Sequence, residues 1–97
     1  MENEIIQKVI KYNSPEKTVL KVLEECAELS EVLLKYLTKT PEFKPPIEKI
    51  IEEMGDVKVR MKILANALGI TEKVEEREHL KLLQLKEWVE QKYEGVV

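Results

Sequence analysis

Glycine and proline are scarce in this chain, with three and four copies in 97 residues, so turns are few and helices long. Aromatic residues make up only 5%, too few for an ordinary sandwich or barrel core. A single cysteine, Cys26, excludes an internal disulfide; it falls on an apolar helical stripe and is expected to be buried and reduced. No basic block occurs and the net charge is −3, which excludes an ordinary nucleic-acid-binding surface. No apolar run approaches the roughly 20 residues of a membrane span, and the N-terminus carries no apolar signal segment. The expectation is a soluble, cytoplasmic protein made of one domain over residues 1–97.

What the chain has in abundance is charge, at 36%, interleaved with Leu, Ile and Val at helical spacing. Residues 3–12 read as a short helix bearing Ile5, Ile6, Val9 and Ile10. Ser14 is a good N-cap and Pro15 suits the first position of a second helix, running to about Leu37 or Lys39. Three prolines make 40–46 an irregular loop. A third helix spans Ile47 to Leu68, with Gly69 as its stop. Thr71 is placed to cap a fourth helix, Glu72 to about Tyr93, ahead of a frayed tail. Four helices with short connections predict an all-α antiparallel bundle.

Two acidic turns stand out, Glu24-Glu25-Cys26-Ala27-Glu28 and Glu52-Glu53-Met54-Gly55-Asp56. Each holds an acidic pair at i, i+3, which puts both carboxylates on one helix face. Around the second helix, Val19, Val22, Leu23, Cys26, Leu29, Leu33 and Leu37 form the expected core stripe. Glu25 falls between Leu29 and Val32, and Glu28 lies beside Val32. Glu24 and Glu31 point to the far side, where Glu31 has Lys35 as an i, i+4 partner.

On the third helix Ile47, Ile50, Met54, Val57, Met61, Leu64 and Leu68 form the expected stripe. Glu53, Asp56 and Arg60 follow one edge of it, while Glu48 and Glu52 take the polar side. Orientation therefore selects Glu25, Glu28, Glu53 and Asp56 as a convergent tetrad of metal ligands and catalytic residues. Carboxylates held that close repel unless a cation sits between them. Hard oxygen donors without imidazole or thiolate suit Mg²⁺, with Mn²⁺ as a substitute. Such a site binds phosphates, and one of the Glu side chains is placed to act as general base. No Gly-rich phosphate cradle accompanies it. Arg60, one turn after Asp56, is a candidate phosphate contact or an ion-pair partner of Glu53 or Asp56; Lys81 on the last helix is a second candidate phosphate contact.

The pattern E-x-x-E (Glu25-Cys26-Ala27-Glu28), followed after 24 intervening residues by E-x-x-D (Glu53-Met54-Gly55-Asp56), resembles the MazG-like all-α nucleoside triphosphate pyrophosphohydrolases. The resemblance covers about residues 15–70. It implies Mg²⁺-dependent cleavage of (deoxy)nucleoside triphosphates between the α and β phosphates, giving monophosphate and pyrophosphate in nucleotide-pool housekeeping. The four acids would be the metal ligands, and the working form a homodimer or homotetramer.

A second apolar patch on the second helix, Leu20, Ala27 and Leu34, independently calls for another packing partner. Two further readings stay open: a phosphoribosyl-ATP pyrophosphohydrolase, and a non-catalytic helical interaction module whose acids bind cations or face water. His79 reads as a surface residue, and Met54 and Met61 as core filler. Trp88, Tyr36 and Tyr93 read as packing residues, Lys86 as a solvated lysine and Asn66 as a polar-face residue.

Overall fold

The computed structural model describes residues 1–95. Four helices carry them: α1 (Glu2–Tyr12), α2 (Pro15–Thr38), α3 (Ile47–Leu68) and α4 (Thr71–Tyr93), with one 3₁₀ turn at Pro41–Phe43. No strand occurs among the described residues, and the chain is an all-α helical bundle as expected. The frayed-tail expectation falls partly on residues 96 and 97, which lie outside the described residues.

Local chemistry sets the boundaries. The Ser14 hydroxyl accepts a hydrogen bond from the Lys17 N–H at 3.1 Å, and Pro15 takes the first helical position of α2. Gly69 ends α3 with φ of 68°, a left-handed cap that a side chain would strain. The start of α4 corrects one expectation. Ile70, not Thr71, is the N-cap, and no side chain caps the helix; the Gly69 cap turns the chain so tightly that Thr71 is already helical.

The α2/α3 hairpin is the body of the molecule, with α1 laid against α3. A 24-residue helix is about 36 Å long, more than the loop that follows can span, so α3 must run back antiparallel along α2. Thr18 and Val32 of α2 and Ile50, Glu53 and Val57 of α3 are buried along the hairpin, with Val22, Glu25 and Leu29 half-buried beside them, while Ile63 of α3 and Ile6 of α1 are buried as well. Lys62 of α3 pairs with Glu2 of α1 at 3.2 Å.

This seam rotates the expected core. Val19, Leu23, Cys26, Leu33 and Leu37 face outward on α2, and Ile47, Met54, Met61 and Leu68 do so on α3. The expected burial of Cys26 is therefore not met within one chain. The physical reason is that one neighbour covers only one arc of α2, and that arc is centred on Thr18, Glu25 and Val32.

The fourth helix packs sparingly on α3 and projects away from it. The radius of gyration is 17.4 Å, against about 12.5 Å for a compact chain of this length. Leu82, Leu85, Trp88 and Tyr93 stay exposed along the arm. Trp88 and Tyr93 stack edge to face, with centroids 5.4 Å apart.

Candidate functional site

The acids sit in the seam because their helical positions face the neighbouring helix. Glu25 lies one turn after Lys21–Val22 and one turn before Leu29, on the arc of α2 that looks at α3. Glu53 lies between Ile50 and Val57 on the arc of α3 that looks back. It is only 4% exposed, the most deeply buried charged residue among those described. Glu25 is half-buried and Glu28 exposed, so the group opens to solvent at Glu28.

Glu25, Glu28 and Glu53 each offer a carboxylate oxygen, and these three oxygens lie within 4.8 Å of one another. A second group, sharing Glu53, is made by Glu52, Glu53 and Asp56 with the same mutual reach. The structure thus brings together three of the four expected ligands directly. Asp56 joins through Glu53 and is not within that reach of Glu25 and Glu28. Glu52, placed on the polar side by its helical angle, also turns an oxygen toward Glu53 and Asp56.

Two oxygens in the seam have no hydrogen-bond partner: Glu25 Oε2 and Glu53 Oε2. Buried carboxylate oxygens left unpaired are costly. Here they converge with a third carboxylate, and like charges at that distance add repulsion to desolvation. The consequence appears at Glu28, whose carboxyl is pushed above the ordinary glutamate range. The negative charge of Glu25 is the largest cause, followed by partial desolvation and the charge of Glu53.

One residue escaped the sequence reading. The Lys49 ammonium lies 3.0 Å from Glu53 Oε1 and 3.3 Å from Glu52 Oε2. Its spacing of i, i+4 to Glu53 and i, i+3 to Glu52 was the signal that would have found it. Both carboxylates hold the Lys49 proton more firmly than usual, the hydrogen bond to Glu53 most of all.

The remaining expectations sort by exposure and partner. Arg60 is half-buried on the α3 edge and, among the described residues, forms no ion pair, so the bridge to Glu53 or Asp56 is absent and its guanidinium is uncommitted. Lys81 is exposed on α4. Lys86 is engaged with Glu90 at 2.7 Å, while His79 is exposed. Glu24 and Glu31 are solvated, paired with Lys21 at 3.1 Å and Lys35 at 3.0 Å. Asn66 donates to the Lys62 carbonyl of its own helix at 2.9 Å.

A cleft of about 350 Å³ between α3 and α4 is lined by residues that include Met61, Leu64, Ile70 and Val74 and by none of the clustered acids. Donor chemistry, not concavity, picks out the seam. Three hard oxygen donors with two orphaned lone-pair positions, and neither imidazole nor thiolate, fit a divalent cation of the Mg²⁺ or Mn²⁺ kind. Among the described residues, no helix is long and apolar enough to cross a membrane. Comparison with family models, with curated proteins and with solved structures returned no match to this chain.

Proposed function

We propose that this chain is a Mg²⁺-dependent nucleoside triphosphate pyrophosphohydrolase, acting on (deoxy)nucleoside triphosphates as a cytoplasmic homo-oligomer in nucleotide-pool housekeeping. One observation carries the reading: a nearly inaccessible carboxylate, Glu53, keeps an oxygen unpaired beside Glu25 and Glu28 from the facing helix. A helical scaffold gains nothing from that arrangement, whereas a metalloenzyme needs it. The resemblance of the two acidic motifs to MazG-like enzymes supports the substrate class.

Glu25, Glu28, Glu53 and Asp56 would hold divalent cation, the first three as one group and Asp56 beside Glu53. The bound ion supplies neutralisation of phosphate charge and a lowered proton affinity for water. One of the Glu side chains of the cluster would take the proton from the attacking water. The water oxygen forms a bond to the α phosphorus, the bond from that phosphorus to the αβ-bridging oxygen breaks, and pyrophosphate leaves. Arg60, without an ion pair among the described residues, would meet a phosphate oxygen one turn beyond Asp56, and exposed Lys81 would be a second contact from the α4 arm.

Surface area supports the oligomer. The chain exposes 8115 Å², about 2,300 Å² more than the roughly 5,800 Å² of a compact monomer of this size. An excess of that order per chain is what an obligate interface between copies buries. The exposed strip Leu20, Leu23, Leu34 and Leu37 on α2 is the natural seat.

The test is a panel of nucleoside and deoxynucleoside triphosphates incubated with Mg²⁺ or with EDTA. Pyrophosphate release that requires the metal is expected. Release of orthophosphate, or turnover that survives chelation, overturns the proposal.

A further inference from the structure

The cation that balances Glu53 in the metal-free chain is one the sequence itself supplies. Lys49 sits one turn before Glu53 on α3, and its ammonium bridges Glu53 Oε1 at 3.0 Å and Glu52 Oε2 at 3.3 Å. The two partners differ sharply in setting. The Glu53 side chain is 5% exposed, while those of Glu52 and Lys49 are 59% and 44% exposed. The lysine therefore reaches from solvent onto a buried oxygen, and the second oxygen of that same carboxylate stays unpaired.

We infer that Lys49 is an exchangeable placeholder: its ammonium neutralises Glu53 until a divalent cation takes that carboxylate, and it then retires onto Glu52. The inference rests on the proposed metal site and adds how its occupancy is set. Three features carry it. A lysine stem is long, flexible and anchored in the first turn of α3, so the head group can leave without moving backbone. The ammonium binds as a compact point charge, so it gives up one carboxylate for another with little geometric loss. Glu52 already touches it, so the retreat leaves the ammonium paired. The site is then empty of neither charge nor partner at any stage. Its metal affinity is lowered because the ammonium on Oε1 withdraws negative charge from Glu53 and repels a cation arriving at the free Oε2.

The experiment is titration of Mn²⁺ by calorimetry into the full chain, the K49Q variant and a K35Q control, with melting of each in EDTA and in excess Mn²⁺. Lys35 has comparable exposure and holds Glu31, outside both acidic groups, so its removal makes the same change in net charge and breaks an ion pair away from the clustered acids. K49Q is expected to bind Mn²⁺ about fivefold more tightly than the parent, an effect of the size that one partly buried ion pair supports. It should melt lower by about 4 °C in EDTA, and that gap should close once Mn²⁺ saturates both. K35Q should shift the affinity less than twofold.

If K49Q binds Mn²⁺ equally or more weakly while the parent binds normally, Lys49 orients Glu53 and the placeholder role is overturned, leaving the metal site intact. Equal tightening by K35Q overturns it too, as a long-range charge effect. Failure of the parent chain to bind Mn²⁺ or Mg²⁺ overturns the site and the inference together.

Discussion

Replacing Glu25 by glutamine should make the metal-free protein more stable and the metal-saturated protein less so. Glu25 is the cleanest probe of the cluster. It is half-buried, one of its oxygens has no partner, and among the described residues no lysine or arginine pairs with it. An oxygen of Glu25 lies within 4.8 Å of one on Glu53. Two unit charges at that separation repel by about 1–3 kcal/mol for effective dielectric constants from bulk water down to a protein surface.

Glutamine keeps the shape, removes the charge and offers an amide donor to the orphaned Glu53 oxygen. A net gain of about 1 kcal/mol follows, a rise in Tm of about 5 °C for a chain of this length. Divalent ion at a hundredfold excess over its Kd stabilises a competent site by about 2.7 kcal/mol, which exceeds that gain. The order of the two melting curves should therefore invert between EDTA and Mn²⁺. Differential scanning fluorimetry at fixed protein concentration reads both. A variant that melts below the parent in EDTA would show that Glu25 has a favourable partner in the folded chain, and the repulsion argument would be wrong. Glu24→Gln, one residue away on the solvated side, should invert nothing.

Three further outcomes follow from the same geometry. The carboxyl of Glu28 is raised in the folded chain above its ordinary range, so the stability it contributes is present at low pH and lost as pH rises through the folded value. In EDTA, urea melts across pH 4 to 7 should show that loss in the parent and a flatter profile in Glu28→Gln; a steeper profile in the variant would reverse the sign. Leu34→Glu, on the outward strip of α2, should convert the proposed oligomer to monomer in sedimentation analysis, and an unchanged mass at all concentrations would remove that strip from the interface. Ser14→Ala removes the one side-chain cap of α2 and should cost about 1 kcal/mol, near 5 °C in Tm, since nothing else accepts from the Lys17 N–H.

Helix boundaries were legible because their causes are local. Ser14-Pro15 and Gly69 act through hydrogen bonds and φ angles within a few residues, and α3 begins and ends where the pattern puts it. The pairing of Glu31 with Lys35 is local in the same sense. Convergence of Glu25, Glu28 and Glu53 was legible too, since i, i+3 spacing on two helices of one hairpin leaves few ways to point.

The rotation of the core was not. Apolar residues ring most of α2, so periodicity could not say which arc faces α3 and which faces outward. The choice falls to Thr18, Glu25 and Val32 through the register of the hairpin, a property of two helices together. Asp56 and Glu52 show the same limit, since the turn of each carboxylate toward Glu53 depends on rotamers and not on helical angle. Lys49 was visible in the spacing, but its importance comes from the burial of its partner.

The seam and the outward faces are linked by one energetic constraint. A two-helix seam is the best-buried place this small chain has, yet Glu25 and Glu53 occupy positions in it that leucine would fill more favourably. No large side chain among the described residues is completely buried, so a single copy has little apolar burial with which to offset them. The leucines that would provide it, Leu20, Leu23, Leu34 and Leu37, lie on the other side of the same helix. A second copy covering that side would bury them without touching the acids, because the two arcs of α2 are roughly opposed. Association of that kind, as proposed, would underwrite the placement of charge in the seam. Dissociating the copies should lower stability most in EDTA, where the carboxylates repel, and least in Mn²⁺, where the cation takes over part of that role.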